Sequence, residues 1–144
     1  MILPDVNVLI YAFRQDSDHH RTCLPWLQTV VDGEAAFGIS PLSLAAVIRI
    51  TTNRRSYVRT STIEEAFRFC DHLLGQPHCR LVEPGDRHWD IFRQLCTATS
   101  TLGPDITDAW YAALAIEHGC EWITLDRDFA RFRGLKWSPP IAPK

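Results

Sequence analysis

GPDITDAWYAALAIEHGCEWITLDRDF, residues 103–129, is the stretch that decides the fold. Ala109, Ala112, Ala113 and Ile116 recur at helical spacing, and Trp110, Tyr111 and Leu114 cover the other faces. A helix apolar nearly all round belongs in a core. Gly119 is its natural stop, and a short strand follows before an acidic turn. Asp105 and Asp108 stand at the helix entrance; Asp126 and Asp128 stand just past the strand. In a parallel α/β sheet the loops leaving the carboxyl ends of strands converge on one crevice. The pattern therefore predicts such a sheet with carboxylates gathered along one edge.

The rest of the chain repeats the alternation. Ile2-Leu3 predicts a buried strand that Pro4 ends, since proline lacks a backbone N–H. VNVLIYAF, from Val6 to Phe13, predicts a short buried helix or turn after Asp5. A polar loop over 16–20 precedes a helix over 21–31 with Leu24, Leu27 and Val31 on one face; Asp32-Gly33 ends it. A strand over 35–39 leads to a helix from Pro41. Another helix is predicted over 63–74, capped by Thr62 or Ser61 and ended by Gly75. A strand over 80–82 and a helix over 86–97 follow, with Trp89, Phe92 and Leu95 inward and His88 on the surface. Strands alternating with helices at these lengths imply βαβ units around a parallel sheet.

At 144 residues the chain suits one domain with a real core, expected over 1–138 with a loose Pro-rich tail over 139–144. It is 46% hydrophobic and 22% charged, an ordinary globular composition. A formal net charge of -2 gives no bulk attraction to nucleic acid, so such a partner must be met by a local patch. Cys23, Cys70, Cys79, Cys96 and Cys120 form no CxxC pair, which argues against a zinc ribbon or disulfide framework and for buried thiols in a reducing cytosol. The apolar start carries Asp5 and lacks a basic region, unlike a signal peptide. No apolar run is long enough to span a membrane. A cytoplasmic protein is expected.

One local patch exists. Between Glu34 and Glu64 there is no acidic residue, while Arg49, Arg54, Arg55 and Arg59 fall inside with Tyr57 among them. Clustered arginines with an interleaved aromatic suit a phosphate backbone and a stacked base. A solvated loop accounts for the same cluster equally well. The pair His19-His20 reads as solvated, because adjacent residues rarely converge on one ion.

Each carboxylate has a plain structural use. Asp5 can cap the helix that follows it, Asp105 and Asp108 suit the N-cap and N3 positions of theirs, and Asp126 can cap a short helix from Arg127. Taken together these uses gather negative charge at one sheet edge, where like carboxylates raise one another's pKa. A divalent cation removes the conflict. Hard oxygen ligands suit Mg²⁺ or Mn²⁺, and such an ion can hold a phosphodiester oxygen and lower the pKa of a bound water. A receiver or haloacid-dehalogenase-type phosphatase also has an aspartate after its first strand. Both need a lysine near the phosphoryl group, and here the only lysines are Lys136 and Lys144, beyond the last acidic motif.

LPDVNVLIYA, TDAWYAALAIEHG and ITLDRDFARF, in that order and spacing, resemble PIN-domain ribonucleases of the VapC type, toxins of type II toxin–antitoxin pairs. The resemblance spans nearly the whole chain. It implies a single three-layer α/β/α domain with a short, mostly parallel central sheet and Mg²⁺-dependent endonucleolytic cleavage of RNA. It also implies inhibition by a cognate antitoxin, and a homodimer. The family's first, third and fourth acids fall on Asp5, Asp108 and Asp126, as catalytic metal ligands. Asn7 and Thr107 match polar positions near the site, and Asp128 an auxiliary acid. One position departs: the family pattern LxxAExxR becomes LSLAAVIR, with Ala46 where a glutamate usually stands and Arg49 retained. Asp105, one turn before Asp108, is the expected partial substitute. The alternative is a weakened scaffold that acts by holding RNA or antitoxin.

Overall fold

The computed structural model describes residues 1–141. Its strands are β1 (Ile2–Pro4), β2 (Phe37–Ile39), β3 (Cys79–Leu81), β4 (Glu121–Ile123) and β5 (Trp137–Ser138). They form one sheet in the order β3-β2-β1-β4-β5, parallel at every pairing. Around it lie α1 (Val6–Phe13), α2 (His20–Asp32), α3 (Pro41–Thr51), α4 (Ile63–Leu74), α5 (His88–Thr99) and α6 (Ile106–Glu117), giving the α/β/α arrangement. Helices on both faces explain why Leu3, Phe37, Ile39 and Trp122 are all fully buried in three-residue strands.

β1 is central. The chain adds β2 and β3 on one side of it, then crosses to lay β4 and β5 on the other. The direction of growth reverses between β1 and β4, which makes their carboxyl ends the place where such folds bind ligands. Pro4 pairs with Ile123, and the Asp5 N–H donates to the Ile123 carbonyl at 2.9 Å. The residue after β1 is thereby fixed beside the residue after β4. α6 brings the third acid to the same edge. Its alanines 109, 112, 113 and 115 are fully buried, and it ends at Gly119, whose φ of +64° only glycine adopts freely. A helix that leads straight into β4 must begin at the edge where β4 ends, so Asp108 in its first turn lies there too.

Two expectations are corrected. His88 is 3% exposed, with Nε2 at 3.0 Å from the Trp110 carbonyl oxygen, whereas Trp89 is 61% exposed. The buried face runs 88, 92, 95 rather than 89, 92, 95. Both spacings are helical, and the imidazole wins because it finds a carbonyl and an edge contact with Trp110, ring centroids 4.9 Å apart. The sheet has an unforeseen fifth strand, β5, paired through Trp122–Trp137 and Ile123–Ser138. Of the tail expected to be loose over 139–144, Pro140 is buried and 142–144 lie outside the described residues. The cysteines are free thiols. Among the described residues no helix is long and apolar enough to cross a membrane.

Candidate active site

Thr124 organises the edge. It is fully buried one residue past β4, donates its hydroxyl to Asp5 Oδ2 at 2.7 Å, and accepts the Asp126 N–H at 3.0 Å. Asp5 occupies the N-cap position of α1; its side chain makes no full capping bond, though the backbone N–H of Asn7 at N2 lies close enough to favour its anion. Its side chain is turned to Thr124. At 7% exposure, burial pushes its carboxyl up to about 6. The Thr124 hydroxyl and the Asn7 amide favour the anion and oppose this, while the charges of Asp108 and Asp126 add to the rise.

Asp108 is half-buried and also raised, first by burial; Arg131 pulls it down and the charges of Asp126 and Asp105 push it up. Arg131 Nη2 reaches Asp108 Oδ2 at 3.4 Å while Nη1 donates to the Asp128 carbonyl. The same guanidinium lies 4.4 Å over the Phe132 ring. Asp126 does cap the short helical turn Arg127–Arg131, its Oδ1 accepting the Asp128 N–H at 2.8 Å. Asp105 and Asp128 are exposed, and the Asp105 side chain makes no capping bond to α6. Asp5 thus feels the charges of Asp108 and Asp126, and Asp108 that of Asp126.

A cavity of about 450 Å³ opens against two of these acids, Asp5 and Asp108, while Asp126 stands outside its lining. Asp5, Asn7, Thr107, Asp108 and Tyr111 line it on one side, and Leu42, Ala45, Ala46, Arg49 and Ile50 of α3 on the other. Asn7, Thr107 and Arg49 therefore face one pocket together. Ala46 faces it as well, so no carboxylate enters from α3. Arg54, Arg55 and Arg59 are exposed in the loop after α3. Tyr57 is half-buried, with the Arg14 guanidinium 4.0 Å over its ring, so one face of that ring is taken. Tyr11 lies between loop and acids: burial raises its phenol most, followed by the charge of Asp5 and by Tyr57, with a smaller push from Asp126.

Among the described residues no three carboxylate, imidazole or thiolate groups converge closely enough to share one ion as they stand. Asp108 is engaged by Arg131, and one oxygen of Asp126 by the Asp128 amide. The donor chemistry nevertheless fits a hard divalent cation. Asp5 is a buried carboxylate with no cationic partner among the described residues, its charge is resisted by two further carboxylates, and a cavity adjoins it. Thr124, Arg131, Tyr11 and Arg14 were not singled out from sequence. Only Thr124 left a trace there, as a polar residue next to an apolar strand and two before an acid.

Fold and site together define an all-parallel α/β/α domain with acids gathered at its strand-order reversal. The PIN domain model matches residues 2–135. Ribonuclease VapC25 of Mycobacterium tuberculosis H37Rv is 41% identical over 142 residues, covering 98% of this chain and 100% of that protein. Ribonuclease VapC43 of the same strain is 39% identical over 141 residues, covering 98% and 96%. Among solved structures, VapBC2 from Rickettsia felis bound to a promoter DNA fragment aligns with a TM-score of 0.68 at 16% identity, over 96% of this chain and 98% of that one. The sarcin-ricin loop cleaving toxin VapC20 of M. tuberculosis aligns at 0.65 and 14%, over 94% and 98%. The chain belongs to the PIN-domain family, among the VapC ribonucleases.

Proposed function

We propose that the protein is a Mg²⁺-dependent endoribonuclease, the toxin half of a type II toxin–antitoxin pair, with Mn²⁺ able to replace Mg²⁺. The observation that carries this is Asp5: a buried carboxylate pushed up to about 6, beside Asp108 and Asp126, at the reversal of strand order in a chain 41% identical to a VapC ribonuclease. Asp5, Asp108 and Asp126 would hold the ion, with Asp105 and Asp128 at its periphery. The bound ion supplies charge neutralisation at the phosphodiester and an acidified water. The rest falls to the chain. Thr124 fixes the rotamer of Asp5, Asn7 and Thr107 offer polar contacts inside the cavity, and Arg49 meets the phosphate at its rim. Arg54, Arg55 and Arg59 extend that contact along the backbone, and Tyr57 would offer a base only the part of its ring that Arg14 and the core leave uncovered.

The experiment is cleavage of total RNA by purified protein with and without Mg²⁺, alongside Asp5→Asn and Ala46→Glu. The reading requires Mg²⁺-dependent fragments from the native chain and none from Asp5→Asn. The second reading, a weakened scaffold that binds RNA or antitoxin, draws on Ala46 facing the cavity; it prevails if only Ala46→Glu cuts. Asp105→Ala tests the substitute carboxylate, since unchanged Mn²⁺ affinity removes Asp105 from the site.

Solved structures of this fold include VapBC pairs and a toxin-antitoxin complex. For this chain an antitoxin helix would lie against α4, where Ile63, Phe67 and Leu74 are 48%, 49% and 42% exposed. A neighbouring apolar cavity of about 380 Å³ is lined by Phe13, Leu24, Leu27, Val31, Phe69 and Leu73, among others. The helix α3 carries a further exposed apolar residue, Leu42. A homodimer is proposed from the family resemblance alone, and light scattering on the purified chain tests it.

A further inference from the structure

Arg14 ends α1, nine residues after Asp5, and is 8% exposed. A guanidinium so buried must be partnered, and four of its five N–H donors are placed. Nε and Nη2 fork onto the two oxygens of Asp16, Nη1 donates to Ser61 Oγ at 3.0 Å, and Nη2 also donates to the Arg59 carbonyl at 2.7 Å. Its flat face covers Tyr57 at 4.0 Å. Three of these contacts are to one segment. That segment leaves α3 after Thr51 and is closed at its neck, where the Ser61 N–H donates to the Thr51 carbonyl at 2.9 Å. Inside it, Asn53 accepts from the Arg55, Ser56 and Tyr57 amides. Arg54 and Arg55 are left exposed at the outer turn.

We propose that Arg14 is a positioning residue for RNA: it makes no contact with the substrate but holds loop 52–61 in one shape, so that its arginines form a preformed phosphate-binding rim. This rests on the ribonuclease reading above. Four of the five Arg14 donors and one face of its plane are spent inside the protein, which leaves little of the guanidinium for phosphate. What it contributes is order. A loop already rigid before binding loses less conformational freedom on meeting RNA. The rim is continuous with the acid cavity through Arg49, on the last turn of α3. Lysine cannot replace Arg14, because a single ammonium lacks the planar fork that reaches Asp16, Ser61 and Arg59 together and the flat face that lies on Tyr57.

The test compares native protein, Arg14→Lys and the milder Ser61→Ala. The first measurement is binding of a fluorescein-labelled, mixed-sequence single-stranded RNA in EDTA, by anisotropy over a salt series. The second is the cleavage rate in Mg²⁺ at saturating RNA. Arg14→Lys should bind about tenfold more weakly, with a log–log salt slope shallower by about 1 for each phosphate the rim no longer holds. Ser61→Ala should fall between it and the native protein. The saturating rate should not change, because the acids are untouched. Native affinity and slope in both variants overturn the proposal. So does a saturating rate that falls in step with the folded fraction by circular dichroism, since that marks a merely structural arginine. Failure of the native chain to bind RNA at all is a separate result and removes the ribonuclease reading itself.

Discussion

At Asp5 stability and the proposed function pull in opposite directions. The carboxyl titrates near 6 in the folded protein against 3.8 for an ordinary aspartate. Between those values the folded state holds a proton that the unfolded chain has released, so stability falls as pH rises through that window, by on the order of 3 kcal/mol. Below about pH 4 both states are protonated and the penalty is absent. Asp5→Asn, neutral at every pH, should therefore melt several degrees higher than the native chain at about pH 7.5 without metal, and the difference should shrink toward pH 4. The same variant should cut no RNA. Calorimetry at the two pH values checks the first part; an unchanged melting temperature at the higher pH would mean that Asp5 carries no charge penalty there. Asp5, Asp108 and Asp126 were legible in the sequence because each stands next to an element whose type its neighbours declare. Thr124 and Arg14 were not, because their partners lie 119 and 47 residues away and depend on how β1 meets β4 and how loop 52–61 folds back.

Element by element, the sequence pattern placed α2 to α6 and left α1 as a helix or turn, and its failures have one origin. On α5 two apolar faces were available, one through Trp89 and one through His88; burial chose the imidazole because a carbonyl on α6 was there to receive it. Strand β5 is two residues long, too short for any alternation to show. Its existence is a property of the β4 edge rather than of Trp137 and Ser138. Gly38 shows the same dependence on a neighbour. A methyl group built at this position of β2 would meet Val82 Cγ2 at 2.7 Å and the Ile2 carbonyl at 3.3 Å. Val82 is buried just past β3, so it cannot swing away. Gly38→Ala should cost about 1–3 kcal/mol through overpacking, read as a lower urea midpoint at unchanged slope. A neutral result would show that β3 shifts outward freely.

Across the whole molecule, the strand order is what turns scattered residues into a site. The chain's first strand lies between the second and the fourth, so Asp5, Asp108 and Asp126 share an edge although they come from opposite ends of the sequence. The fold holds this arrangement against repulsion, and binding at that edge should be felt as global stability. Mg²⁺ that binds only the folded chain raises its stability with the logarithm of concentration over Kd. Above about pH 7 Asp5 is ionised and the ion neutralises repelling charges. Near pH 5 the ion must first displace the proton that burial holds on Asp5, so its apparent affinity falls about tenfold for each pH unit below 6. At one fixed Mg²⁺ concentration the rise in melting temperature should thus be clear at about pH 7.5 and small at about pH 5. In Asp5→Asn it should be small at both. Equal rises at the two pH values in the native chain would place the ion away from Asp5. No rise at either would leave the acids as a charged edge without a metal, and the cavity beside Ala46 as a binding pocket only.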